Sequence, residues 1–250
     1  MQDAVTVQPG RPFRLADVAT KGEQDKADAK DELEGMRSRL VDLHEELWQR
    51  RDRAVLVLLQ GLDTAGKDST LRVVFSGLLP QALEVSAFVV PTPEEAKHDF
   101  LWRYHGKVPP CGRLGVFNRT WYEGVLVERV DHLVAQAVWR RRYKHINAFE
   151  ALLEDSGVHL LKVFLHVSKD EQEKRLRKRA ETPSKAWKHN PDDQRKHAMY
   201  AEYQGAVQDA LAACSTGTAP WHVVPADHKP SRNLAVANLL AATLERAVRA

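Results

Sequence analysis

Residues 61–70 read GLDTAGKDST. The run Gly61-Leu62-Asp63-Thr64-Ala65-Gly66-Lys67 fits the spacing G-x-x-x-x-G-K of a phosphate-holding loop. Glycines let backbone N–H groups come close to phosphate oxygens. A helix start just after the loop adds partial positive charge, and Lys67 adds a full one. Two carboxylates interrupt this anion cradle. A bare carboxylate repels phosphate, whereas one that holds Mg²⁺ bridges to it. Asp63 therefore reads as metal-directed. Asp68 stands where a Ser or Thr ordinarily helps hold Mg²⁺. It is either a second metal carboxylate or an acid favoured in a first helical turn. The plain alternative for the whole loop is a tight strand-to-helix turn without ligand. Both glycines, the lysine and the flanking elements argue against it.

Two further stretches carry charge suited to phosphate. VFNRTWYEG follows a short apolar run, and ligands of open parallel sheets sit at the carboxyl ends of strands. There Asn118 can accept through its carbonyl, Arg119 can grip phosphate bidentately, and Glu123 lies near the same mouth. The bland reading makes Asn118 a helix cap and Glu123 a solvated acid. The second stretch runs from Lys169 to Lys188 and holds eight Lys or Arg residues. Arg175 and Arg179 share a helix face. Thr182-Pro183 breaks the helix, and Trp187-Lys188 follows. Taken alone, this is a solvated face balanced by Asp170, Glu171, Glu173 and Glu181. Beside a phosphate loop it reads as a closing flap over transferring phosphate.

The elements that must position these groups alternate. Residues 26–51 are free of Pro, with Leu33, Met36, Leu40, Leu43 and Leu47 at helical spacing, which predicts a long amphipathic helix. AVLVLLQG (54–61) reads as a strand buried on both faces. Further strands are expected at 85–90, 112–118, 159–167 and 221–227. Helices are expected from about 66 to 78, over 93–105, over most of 120–144, at 170–180, at 194–214 and from 231 to the end. Such alternation predicts an α/β fold with a mainly parallel five-stranded sheet flanked by helices. Residues 1–52 are read as an N-terminal extension with its long helix, and 53–250 as the core, including a lid at 170–192.

The totals exclude several classes. The chain has 250 residues, 43% hydrophobic and 28% charged, with a formal net charge of +3. This suits one large domain and neither demands nucleic acid nor excludes a small anionic partner. Cys111 and Cys214 have no metal or disulfide spacing, which fits a reducing compartment. No apolar run reaches membrane-spanning length, and the N-terminus lacks a signal-like core. We expect a cytoplasmic protein without membrane or nucleic-acid partners. Aromatic residues for base stacking are sparse beside the basic helix.

Together, Gly61 to Asp68, Phe117 to Glu123 and Arg175 to Lys188 resemble the polyphosphate kinase 2 family. APWHVVPADHK (219–229) and the RLADV stretch look like the family too, so the resemblance covers nearly the whole chain. It implies a phosphate-loop kinase fold with a helical lid. It implies reversible transfer of the terminal phosphoryl group of inorganic polyphosphate to nucleoside mono- and diphosphates (AMP to ADP, ADP to ATP), with Mg²⁺ or alternatively Mn²⁺. Asp63, Lys67 and Arg119 are then the catalytic candidates. Gly61, Ala65, Gly66, Lys67, Asp68, Arg175, Arg179 and Lys188 are the phosphate-binding ones. Asn118, Arg119 and Glu123 face the nucleotide, and Asp63 and Asp68 the metal. Asn118 with Glu123 is similar to the subgroup accepting both AMP and ADP, from whose pattern Ser69, Trp121 and Gly124 depart. The resemblance also implies a homo-oligomer, dimer or tetramer. The rivals are an ATP-dependent nucleoside monophosphate kinase on the same fold and a non-catalytic polyphosphate- or nucleotide-binding protein.

Overall fold

The structure is a computed structural model and describes residues 4–182 and 192–249. Its centre is the sheet. β1 is Val5–Thr6, β2 Ala54–Gly61, β3 Leu83–Ala87, β4 Leu114–Asn118, β5 Val158–His166 and β6 Trp221–Pro225. They lie in the order β1-β6-β5-β2-β4-β3. β2 to β6 run parallel, and β1 pairs antiparallel with β6 through Val5–Val223 and Thr6–His222. The five expected strands are all present, and β1 is an addition. A two-residue strand has no period to detect. It forms because the Val7 N–H donates to the Trp221 carbonyl and Ser215 donates to the Val7 carbonyl.

β2 is buried along nearly its whole length, as expected of a strand covered on both faces. One face packs under α1 (Lys26–Arg50) and α9 (Lys229–Arg249). Asp25 caps α1 by accepting from the Ala27 N–H. Leu33, Leu40 and Leu47 of its predicted stripe are buried, with Met36 and Leu43 partly so. The other face packs under α5 (Gln136–Asp155) and α8 (Tyr200–Cys214). α2 (Lys67–Val74) leaves the phosphate loop, and α6 (Lys169–Ala180) leaves β5.

Three expected helices are broken, the one at 194–214 by a turn at Met199. Within 93–105 only a 3-10 turn at Glu95–Lys97 and α3 (Trp102–His105) form. His98 is extended, and Asp99 caps a fresh turn through the Leu101 N–H. Within 120–144 there are a 3-10 turn at Trp121–Gly124, a short α4 (Val127–Val130) and the start of α5. His132 in the left-handed region (φ 52°) and an extended Ala135 separate α4 from α5.

Beneath the 121–124 turn lies a buried ion pair. Lys162 donates to Glu150 at 2.7 Å, and the Glu150 carboxylate also accepts from Trp121 Nε1 and the Tyr122 hydroxyl. Lys162→Met leaves Glu150 charged and short of its counter-ion. It is expected to cost about 3–5 kcal/mol, and Lys162→Met with Glu150→Gln is expected to recover much of that in urea unfolding.

His222 ties β1 to β6 through Thr6 Oγ1 at 3.0 Å. Burial, then Arg246 and Lys162, pull its imidazole down to about 4. The unfolded chain binds this proton near pH 6.5 and the folded one only near 4. Stability is therefore present above pH 6.5 and falls as pH drops toward 4. His222→Gln is expected to flatten that slope in melts taken from pH 7 to 4.

Candidate active site

β2 sits between β4 and β5, so the chain crosses it between those two strands. The crevice at its carboxyl end is the place such sheets bind ligands. The phosphate loop leaves from there. Gly61 has no room for a Cβ, which would meet Ala65 and Leu165 at 2.9–3.1 Å. Gly66 lies at φ 111°, and a Cβ there would run into the Arg232 guanidinium. Thr64 and Arg119 hold left-handed backbones at φ 63° and 65° without being glycine. Strain of this kind persists where the surroundings over-determine it, often at functional sites.

Lys67 opens α2 and folds back into the loop. Its ammonium donates to the Gly61 carbonyl at 2.6 Å and the Leu62 carbonyl at 3.3 Å. Burial, then the nearby Arg119, pull it down to about 8, against the opposing charge of Asp63. Arg119 reaches back from the end of β4. It bonds Asp63 Oδ1 at 3.0 Å and Glu123 Oε2 at 3.3 Å. Glu123 first, and Asp63 after burial, hold its guanidinium above the ordinary value. Burial alone would raise the Asp63 carboxyl. Arg119, Lys67, Lys196 and Arg179 outweigh it and hold that carboxyl below the ordinary range. An ionised acid thus sits inside a ring of cations.

Glu123 is set from below. Gln60, buried at the end of β2, donates to Glu123 Oε1 and Thr120 Oγ1. Thr120 caps the 121–124 turn, and Tyr104 donates to its carbonyl. Asn118 bonds Asp68 Oδ1 at 2.8 Å, so the loop and the end of β4 meet there.

The structure thus brings Asp63, Lys67, Asp68, Asn118, Arg119 and Glu123 to one mouth. It gives the basic helix a more specific part. Arg175 donates to the carbonyls of Thr64, Ala65, Ala226 and Asp227, and to Glu171. It braces the loop backbone from the middle of α6. Arg179 pairs with Asp193 of α7 (Asp193–Ala198) at 3.3 Å. Lys188 lies outside the described residues. Gly61, Ala65 and Gly66 form the loop itself.

Sequence reading missed four residues. Lys196 of α7 stands 3.9 Å from Asp63 Oδ2. Gln172 of α6 donates to the Asp63 carbonyl and meets His197 at 2.7 Å. Tyr203 lines the same cavity. Arg232 of α9 is fully buried against the loop. None of them lies in a phosphate-loop motif. Only the Lys196-His197 doublet hinted at a second basic element. The cavity beside the loop has a charged mouth of Asp63, Arg119, Glu123 and Lys196. Its inner wall is apolar, from Leu126, Val127, Phe164 and Tyr203.

A sheet of this order with this loop has relatives. The sequence model of the family described as Polyphosphate kinase 2 (PPK2) matches residues 23–249. The AMP/ADP-polyphosphate phosphotransferase of Meiothermus ruber is 44% identical over 243 residues, 96% of this chain and 91% of that protein. The ADP-polyphosphate phosphotransferase of Rhodopseudomonas palustris is 40% identical over 83% of this chain and 76% of its own. The crystal structure of Polyphosphate Kinase 2 from Arthrobacter aurescens TC1 superposes with a TM-score of 0.92 at 40% identity, covering 96% of this chain and 87% of that one. Among the described residues no helix is long and apolar enough to cross a membrane. Loop, sheet order and all three comparisons agree: the chain belongs to the polyphosphate kinase 2 family.

Proposed function

We infer that the protein is a polyphosphate-dependent nucleotide kinase acting on nucleoside mono- and diphosphates. The observation that carries this is the cavity joining the phosphate loop to Arg119, Glu123 and Lys196 in front of an apolar wall. A charged mouth suits the acceptor's phosphate, and an apolar wall suits its base and ribose. The names of the relatives support the same donor and acceptors.

Chemistry follows from the groups. The terminal phosphoryl group of polyphosphate lies on the loop N–H groups, with Lys67 taking developing charge. A phosphate oxygen of the acceptor attacks in line. Its new P–O bond forms as the bridging P–O bond breaks, and the electron pair leaves on the shortened polyphosphate. One phosphoanhydride replaces another, so the reaction runs both ways. A nucleotide phosphate is already a competent nucleophile, and the residues need only position and neutralise. Arg119 and Lys196 hold the acceptor's phosphate, while Glu123 and Asp63 orient Arg119.

Mg²⁺ belongs to this reading. Among the described residues no three His, Cys, Asp or Glu gather into a protein cage. Mg²⁺ does not ask for one, since it takes one or two carboxylates plus substrate phosphates and water. Asp63 and Asp68 would hold it, and Mn²⁺ is the alternative. When bound it neutralises phosphate charge. A homo-oligomer and a cytoplasmic location complete the proposal. The family resemblance supports the first, and two cysteines without disulfide spacing support the second.

The deciding experiment is ATP formation from AMP, and separately from ADP, with polyphosphate and Mg²⁺ as the only phosphoryl source. Product from both is expected. Product from ADP alone would remove the dual-acceptor reading. Transfer between ATP and AMP without polyphosphate, and none with it, would favour the ATP-dependent kinase. Binding without turnover would favour the non-catalytic protein.

A further inference from the structure

Among the described residues, Arg232 is a buried cation without a counter-ion. It is 0% exposed. Its guanidinium donates to the Ala65 carbonyl, Ser69 Oγ and Asn233 Oδ1, all of them neutral acceptors. No carboxylate pairs with it among the described residues. Burial first, and then the like charge of Arg175, pull it down to about 10. It also stands in the first turn of α9, the end of a helix that disfavours cations.

The contrast with Lys162 is instructive. That buried cation has Glu150 at 2.7 Å. A buried charge without a partner is costly, so Arg232 needs a reason outside the protein's own acids. Its place supplies one. The guanidinium lies against Gly66, where no Cβ would fit. It bonds residues on both sides of the Gly66-Lys67 step, at Ala65 and Ser69. The positive charge therefore backs the N–H groups that meet an anion.

We propose that Arg232 is a positioning residue whose counter-charge is the polyphosphate bound on the loop in front of it. The proposal rests on the polyphosphate reading above. Arg232 holds Ala65 and Ser69 in register, and its charge is balanced across the loop backbone when the donor binds. Anion binding and this buried charge then stabilise each other, and the coupling is reciprocal.

The test compares native protein, Arg232→Met and Arg232→Lys. Each is melted with and without sodium polyphosphate of defined length, and KM for polyphosphate and for ADP is measured. Arg232→Met is expected to melt at or above the native temperature without anion. Its rise in melting temperature with polyphosphate is expected to shrink. KM for polyphosphate is expected to increase about 10–100-fold, with KM for ADP moving far less. Arg232→Lys keeps the charge and is expected to keep most of the anion-induced rise. A fall in the anion-free melting temperature of Arg232→Met, with KM for polyphosphate within about twofold of native, would make Arg232 a structural peg and overturn the proposal. Equal loss of the anion-induced rise in both variants would overturn it too, because fork geometry would then matter and charge would not. Should Arg232→Met fail to fold, Arg232→Lys decides: retention of the rise supports the proposal and loss overturns it. Native protein that is stabilised by ATP and not by polyphosphate would overturn the donor assignment instead, and the variants would then be compared on ATP.

Discussion

Asp63→Asn is expected to lower kcat about 10³-fold, the upper range for removing one electrostatic contact at a transferring group. The substitution keeps size and hydrogen-bonding reach and removes one negative charge. That charge faces Arg119 at 3.0 Å and Lys196 at 3.9 Å. Without it, Arg119 keeps only Glu123, and the group proposed to hold Mg²⁺ is halved. Stability should move as well. The Asp63 carboxyl is held below its ordinary value, so ionised Asp63 stabilises the fold at neutral pH, and that contribution is lost as pH falls through its folded pKa. The variant should therefore unfold at lower urea at pH 7, and the gap to native should narrow in acid. The measurements are kcat with saturating polyphosphate and ADP, and urea midpoints at pH 7 and at a pH well below 3.8, the ordinary carboxyl value. Native-like kcat would remove Asp63 from the catalytic group.

Lys67→Met is expected to lower kcat/KM for polyphosphate about 10²–10³-fold with the opposite sign in stability. The ammonium is pulled down to about 8, chiefly by burial. The unfolded chain binds this proton up to pH 10.5 and the folded one only up to about 8. Below pH 8 the charged lysine thus disfavours the ligand-free fold, and the penalty is relieved as pH rises from 8 toward 10.5. Removing the charge should leave the ligand-free melting temperature at or above native while transfer is lost. A residue that weakens the empty fold and serves the bound anion is the stability–activity trade expected at a working site. A lower melting temperature with native kcat/KM would make Lys67 a mere clasp on the Gly61 and Leu62 carbonyls.

The two variants separate roles that the motif alone merges. Asp63 and Lys67 stand four residues apart in one loop, yet their environments push them in opposite energetic directions. That difference comes from Arg119, Lys196 and burial, which the loop sequence does not contain.

The alternation of apolar runs and helical stripes determined the parallel sheet, because doubly covered strands are written as short continuous apolar runs and helix amphipathicity as a local period of 3.6 residues. The loop at 61–68 was equally legible. Its glycines are demanded by a positive φ at Gly66, a local condition, and by a close approach at Gly61 to Ala65 within the loop and to Leu165 on the neighbouring strand. The doublet of Asn118 and Arg119 was legible from its place after a strand. The broken helices were less so, since His98 and His132 interrupt runs whose composition favours continuity. Tertiary structure alone decided the rest. Arg175 meets the carbonyls of Thr64 and Ala65 across more than a hundred residues of chain, and Arg232 meets Ala65 across 167. Lys162 finds Glu150, whereas Arg232 finds only neutral acceptors, and no spacing rule distinguishes the two in advance. Charge pairing at such separations depends on which strand and helix ends the topology brings together. A sequence displays the charges, and the fold decides which of them stay uncompensated.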